Sequence, residues 1–120
     1  MHIEALREYC LAKAEVTESF PFDEETLVFK VAGKIFAILP LDSATTINLK
    51  CAPDYAEELR AQYPGAIQPG WHMNKKHWNT VALDQGLSGQ MVCHLIDHSY
   101  ERVIAGLPKA VQQRLSAGKA

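Results

Sequence analysis

The sequence predicts an α+β domain in two layers, an antiparallel sheet with an N-terminal and a C-terminal helix on one face. Three observations lead there: a helical period of apolar residues at each end of the chain, two-residue alternation in the middle, and turn residues that join neighbouring strands as hairpins. From Ile3 to about Ala14, Ile3, Leu6 and Cys10 fall at three- and four-residue steps among Glu4, Arg7, Glu8 and Lys13, which predicts an amphipathic first helix. Ser19-Phe20-Pro21-Phe22-Asp23 reads as a loop. Thr26 to Val31 alternates Leu27, Phe29 and Val31 against Val28 and Lys30, a half-buried strand, and Ala32-Gly33 turns the chain. Lys34 to Leu39 is almost continuously apolar, so it is placed centrally, and Pro40 closes it.

Thr46 to Cys51 alternates again and makes a third strand. Pro53 suits a first helical turn, where a missing N–H costs nothing, and Tyr55, Ala56, Leu59 and Tyr63 form the stripe of a short helix ended by Pro64-Gly65. Two more extended pieces follow, residues 66–72, interrupted by Pro69-Gly70, and residues 78–83, joined through Asn74-Lys75-Lys76. Ser88 offers an N-cap to a long helix whose buried stripe is Val92, Leu95, Ile96, Val103 and Ile104, stopped by Gly106 and Pro108. Lys109 to Leu115 is a last helical turn.

A chain of 120 residues without repeats, linkers or low-complexity tracts is read as one domain over residues 1–120. Its net charge of −2 gives no global attraction to polyanions, so nucleic-acid affinity needs locally clustered Lys and Arg. Cys10, Cys51 and Cys93 are odd in number and form no CxxC, so they are read as reduced thiols. The N-terminus has the pattern of neither a signal peptide nor a span, and the cytoplasm is the expected compartment.

Several segments together carry a family resemblance: Phe29-Lys30-Val31-Ala32-Gly33-Lys34-Ile35-Phe36-Ala37, then Asn48-Leu49-Lys50-Cys51 leading into a helix, then His72-Met73-Asn74-Lys75-Lys76-His77-Trp78-Asn79-Thr80-Val81, and finally Leu95-Ile96-Asp97-His98-Ser99-Tyr100 with Gly106-Leu107-Pro108. With these segments the chain resembles the MmcQ/YjbR family over essentially its whole length. The resemblance implies a frataxin-like (CyaY-like) fold and a DNA-binding role with a double-wing mode. It implies no set of catalytic or binding residues, so sites follow from chemistry.

If Leu27, Phe29 and Val31 point inward, Lys30 points outward, and alternation brings Asn48, Lys50, Trp78 and Thr80 to the same face. Lysines there and at Lys34, Lys75 and Lys76 in adjoining turns suit phosphates, and Trp78 suits base stacking. The same residues also fit a solvated sheet face with Trp78 in a core. A second candidate is Trp71, His72, His77 and Trp78 as a pocket for a small planar ligand or a protein partner, against a structural anchor at a Trp-rich turn.

His94, Asp97 and His98 share one helical side at metal-ligand spacing, yet lack a fourth ligand, and no metal site is assigned. Glu4, Glu8 and Glu15 form only a thin ridge for a hard cation such as iron, which stays a remote alternative, and Asp23-Glu24-Glu25 solvates a loop. No phosphate loop, nucleophile elbow or Cys/His nucleophile motif occurs. The expectation is a monomeric, cofactor-free, non-enzymatic protein that binds DNA weakly and in a salt-sensitive way, with a ligand-binding adaptor as the alternative.

Overall fold

The alternating segments pair as expected, and the helical segments pack on one side of the sheet they make. The computed structural model describes residues 1–70 and 73–117. Its strands are β1 (Val16–Ser19), β2 (Thr26–Val31), β3 (Lys34–Pro40), β4 (Thr46–Lys50), β5 (Ile67–Pro69) and β6 (Trp78–Ala82), and its helices are α1 (Ile3–Leu11), α2 (Pro53–Gln62), α3 (Gly89–Ala105) and α4 (Lys109–Ala117). The sheet is antiparallel throughout, in the order β1-β2-β3-β4-β6-β5.

Register decides which residues share a face, because opposed residues point the same way. Leu27 lies opposite Leu39, Phe29 opposite Ala37, Ala37 opposite Leu49, and Ile47 opposite Val81, which in turn faces Ile67. All are buried, and they form one core with Leu6 and Cys10 of α1, Ala56 and Leu59 of α2, and Val92, Leu95, Ile96, Tyr100 and Val103 of α3. Each large apolar side chain taken fully out of water here contributes about 1.5–3 kcal/mol.

The β2–β3 ladder slips between Phe29 and Lys30, so that Lys30 faces Ile35 and Phe36 is an extra residue turned into the core against Phe29 and Tyr100. Beside this bulge a hydroxyl on α3 bridges β3 to β4. The Ser99 hydroxyl donates to the Phe36 carbonyl and accepts from the Lys50 N–H at 2.8 Å, joining β3 to β4 where their ladder opens.

Three elements depart from the sequence expectation. The first helix ends at Leu11 rather than near Ala14: the Ala12 N–H closes on the Glu8 carbonyl, and Glu15, at φ 55°, turns the chain back. The residues after it form β1, an edge strand that the sequence reading lacked. Its single apolar residue, Val16, gives no period to detect; the strand exists because β2 offers it an edge. The last helix also continues to Ala117, with Leu115 seated in the core.

Candidate nucleic-acid interface

Antiparallel order fixes which loops meet at each end of the sheet. The β2–β3 turn with Lys34, the C-terminal ends of β2 and β4 with Lys30 and Lys50, and the β5–β6 connection with Lys75 and Lys76 all lie at one end. The C-terminal half of α3 reaches that end too, since Ser99 bonds Lys50 and Arg102 follows one turn later. Asp23, Glu24, Glu25, Asp42 and Asp84 sit in connections at the opposite end. The charge of a chain of net charge −2 is therefore unevenly spread: five lysines lie at one end, with Glu15 and Asp54 among them, and these five loop carboxylates at the other.

On the face the helices leave open, two registered rows run across the strands. In the outer row Thr17 faces Lys30 and Lys30 faces Ile35, and beyond β3 Lys50 lies directly opposite Trp78. The next row, Ser19–Val28–Ile38–Asn48–Thr80–Gln68, crosses all six strands. Its centre is closed to solvent: Val28 is 0% exposed and Asn48 9%, with Ile38 and Thr80 also buried. The Thr80 hydroxyl donates to Asn48 Oδ1 at 2.6 Å. Asn48 thus shares the predicted face but works as a cross-strand bond, whereas Lys30, Lys50 and Trp78 are half-buried and Lys34, Lys75 and Lys76 exposed.

The β5–β6 connection is held by Arg60 of α2, which sequence reasoning missed. Its guanidinium donates to Asn79 Oδ1 at 2.7 Å, to the Trp78 carbonyl at 3.2 Å and to the Lys75 carbonyl. Lys75 Nζ in turn donates to the Gly70 carbonyl at 3.1 Å, which partly engages its charge, while Asn74 Oδ1 accepts from the Lys76 N–H. Of the alternative pocket, Trp71 and His72 lie outside the described residues. His77 and Trp78 are both half-buried, and the carbonyl of His77 accepts from the Cys51 N–H at 2.7 Å.

The three candidate metal ligands on α3 diverge. Asp97 turns to α1, accepting from the Tyr9 hydroxyl and pairing with Lys13. His94 meets the Tyr55 hydroxyl, and His98 Nε2 accepts from the Ala52 N–H at 3.2 Å. Burial, then the nearby Arg102, holds the His98 imidazole below its ordinary value, in keeping with a neutral ring that accepts. Glu15 pairs with Arg114, whose hydrogen bonds draw its carboxyl below the usual range. No group of three potential metal ligands gathers among the described residues. Burial pushes the Cys10 thiol up to about 12 and the Cys51 thiol up to about 11, so both stay protonated at neutral pH.

A family model described as YjbR matches residues 11–102. The chain belongs to the YjbR family. It is 34% identical over 116 residues to YjbR of Escherichia coli strain K12, covering 96% of this chain and 98% of that one. It is 40% identical over 100 residues to YbdF of Escherichia coli O157:H7, covering 82% and 81%. The crystal structure of Deinococcus radiodurans DR2400, a DUF419 domain, superposes with a TM-score of 0.89 at 37% identity, covering 96% of this chain and 88% of that one. The YjbR span runs from the end of α1 to Arg102 and so contains every basic residue of the outer row, its turns and the end of α3. The names of these relatives state no ligand and no reaction. No described helix is long and apolar enough to cross a membrane.

Proposed function

We propose that this YjbR-family chain is a non-enzymatic DNA-binding module that holds the phosphate backbone against the basic end of its sheet. One observation carries the reading: Lys30, Lys34, Lys50, Lys75 and Lys76, scattered in sequence, gather at one end of the sheet together with Trp78, and Asp23, Glu24, Glu25, Asp42 and Asp84 gather at the other. Lysine ammonium groups on flexible stems neutralise phosphates without reading bases, and the Trp78 ring offers an exposed base a surface to stack on. The acidic end orients the molecule by repulsion, so only one end approaches the polyanion.

Three to five engaged phosphates give a slope of log affinity against log salt of about −3 to −4. Affinity is accordingly weak at physiological salt and sequence preference slight. The test is a salt titration of a duplex with the wild type and with a Lys30→Glu, Lys76→Glu double variant, both residues lying outside the core. The expected result is weaker binding by the variant, with a slope shallower by about two. Equal binding by both proteins, or none by either at low salt, overturns the reading in favour of a ligand-binding adaptor built on His77 and Trp78.

A further inference from the structure

Where α3 runs past the end of the sheet it leaves a cleft of about 310 Å³ lined by Lys50, His77, Arg102, Ala105 and Gly106. We infer that this cleft is a phosphate-binding subsite, in which an oxyanion sits between the Lys50 ammonium, the His77 imidazole and the Arg102 guanidinium. It deepens the function proposed above and rests on that reading only for the source of the phosphate.

The three groups come from a strand, a connection and a helix, and the fold fixes each at its backbone. Lys50 is held through its N–H to Ser99, His77 through its carbonyl to the Cys51 N–H, and Arg102 lies one turn beyond Ser99 on the same side of α3. No carboxylate lines the cleft. The ion pairs among the described residues engage Arg7, Lys13 and Arg114, so Lys50 and Arg102 face the cleft without an acidic partner from that set. Ala105 and Gly106 form a wall with almost no side chain, which leaves room for a tetrahedral group.

One feature opposes an anion: carbonyls at the C-terminal end of a helix carry partial negative charge. The side chain of Gln112, anchored on the Leu107 carbonyl at 2.8 Å, partly offsets this by donating to the Ala105 carbonyl at 3.5 Å. An arginine fork beside an ammonium group and an imidazole N–H is the donor set that phosphate oxygens take up, and the guanidinium can bind two of them at once.

The phosphate belongs either to a nucleic-acid backbone or to a phosphorylated small molecule, and two probes separate them. Inorganic phosphate and a duplex are titrated by NMR into the wild type, Arg102→Gln and Arg102→Lys, following the Lys50 and His77 signals. Arg102 is exposed, so both variants retain the wild-type melting temperature. Phosphate is expected to shift both signals. Arg102→Gln is expected to weaken phosphate and duplex binding about tenfold, and Arg102→Lys to restore only part, because an ammonium lacks the fork. Phosphate binding that depends on Arg102 in a protein that binds no duplex supports the subsite, assigns it to a phosphorylated small molecule and ends the DNA reading. If Arg102→Gln changes neither ligand while the Lys30→Glu, Lys76→Glu variant still loses duplex binding, the subsite is overturned and the DNA reading stands.

Discussion

Replacing Ser99 by alanine should be among the most damaging small changes in the molecule. The hydroxyl is 0% exposed and serves two backbone groups at once, the Lys50 N–H and the Phe36 carbonyl, beside the β2–β3 bulge and where the β3–β4 ladder ends. Without it, both groups lose the partner that the hydroxyl supplies, and an unsatisfied buried polar group costs about 1–3 kcal/mol. Lys50 is only half-buried, so water can reach its side of the gap and the lower part of the range applies there. The expected loss is about 2–4 kcal/mol, a large share of the roughly 5–15 kcal/mol that holds a domain together. Chemical unfolding followed by circular dichroism measures the loss, and hydrogen exchange locates it, with the Lys50 amide losing protection more than the amides of β5. Ser88→Ala, which removes an exposed N-cap bonding the Met91 N–H, is the control and should cost about 1 kcal/mol. If Ser99→Ala costs no more than that control, β3 and β4 close the gap without the hydroxyl and the bridge has no energetic role.

Three further outcomes follow from other contacts. A Cβ at Gly70 would lie 2.9 Å from Trp78 Cβ and 3.1 Å from the Trp78 carbonyl oxygen, so Gly70→Ala should destabilise by about 1–3 kcal/mol; an unchanged denaturation midpoint counts against that close approach. Arg60→Ala removes the donors that hold the β5–β6 connection and leaves the buried Asn79 without that partner, so it should cost about 2–3 kcal/mol and quicken proteolysis near Lys75 and Lys76; unaltered cleavage refutes the clamp. His98 accepts from the Ala52 N–H as a neutral ring, surrounded by Tyr55, His94, Glu101 and Arg102, and its value is depressed below 6.5. The stability it contributes is full above the unfolded value and is lost as pH falls through the folded one, because the unfolded chain then binds more protons. Melting temperature should therefore drop between pH 7 and pH 5, and less so in His98→Gln; an imidazole that titrates at or above 6.5 by NMR refutes this.

Local pattern alone determined much of the architecture. The period-two runs at Thr26–Val31 and Thr46–Lys50, the apolar run closed by Pro40, the Pro53 start of α2 and the Ser88 cap of α3 each state a backbone preference that the packed molecule satisfies. Residue alternation also placed Lys30, Lys50 and Trp78 on one face. It did not reveal that Val28 and Asn48 on that face are buried, because burial there depends on neighbours one strand away in space and tens of residues away in sequence. β1 was invisible for a related reason: four residues with one apolar side chain become a strand only when β2 presents an edge. Nor does net charge record its own separation. That Lys34, Lys50, Lys76 and Arg102 share one end, and that Arg102 meets Lys50 and His77 across a cleft, follows from strand order and the length of α3. The sequence thus sets periodicity and caps, which act over a few residues, while charge clusters and clefts are sums over distant segments that only the tertiary structure brings together.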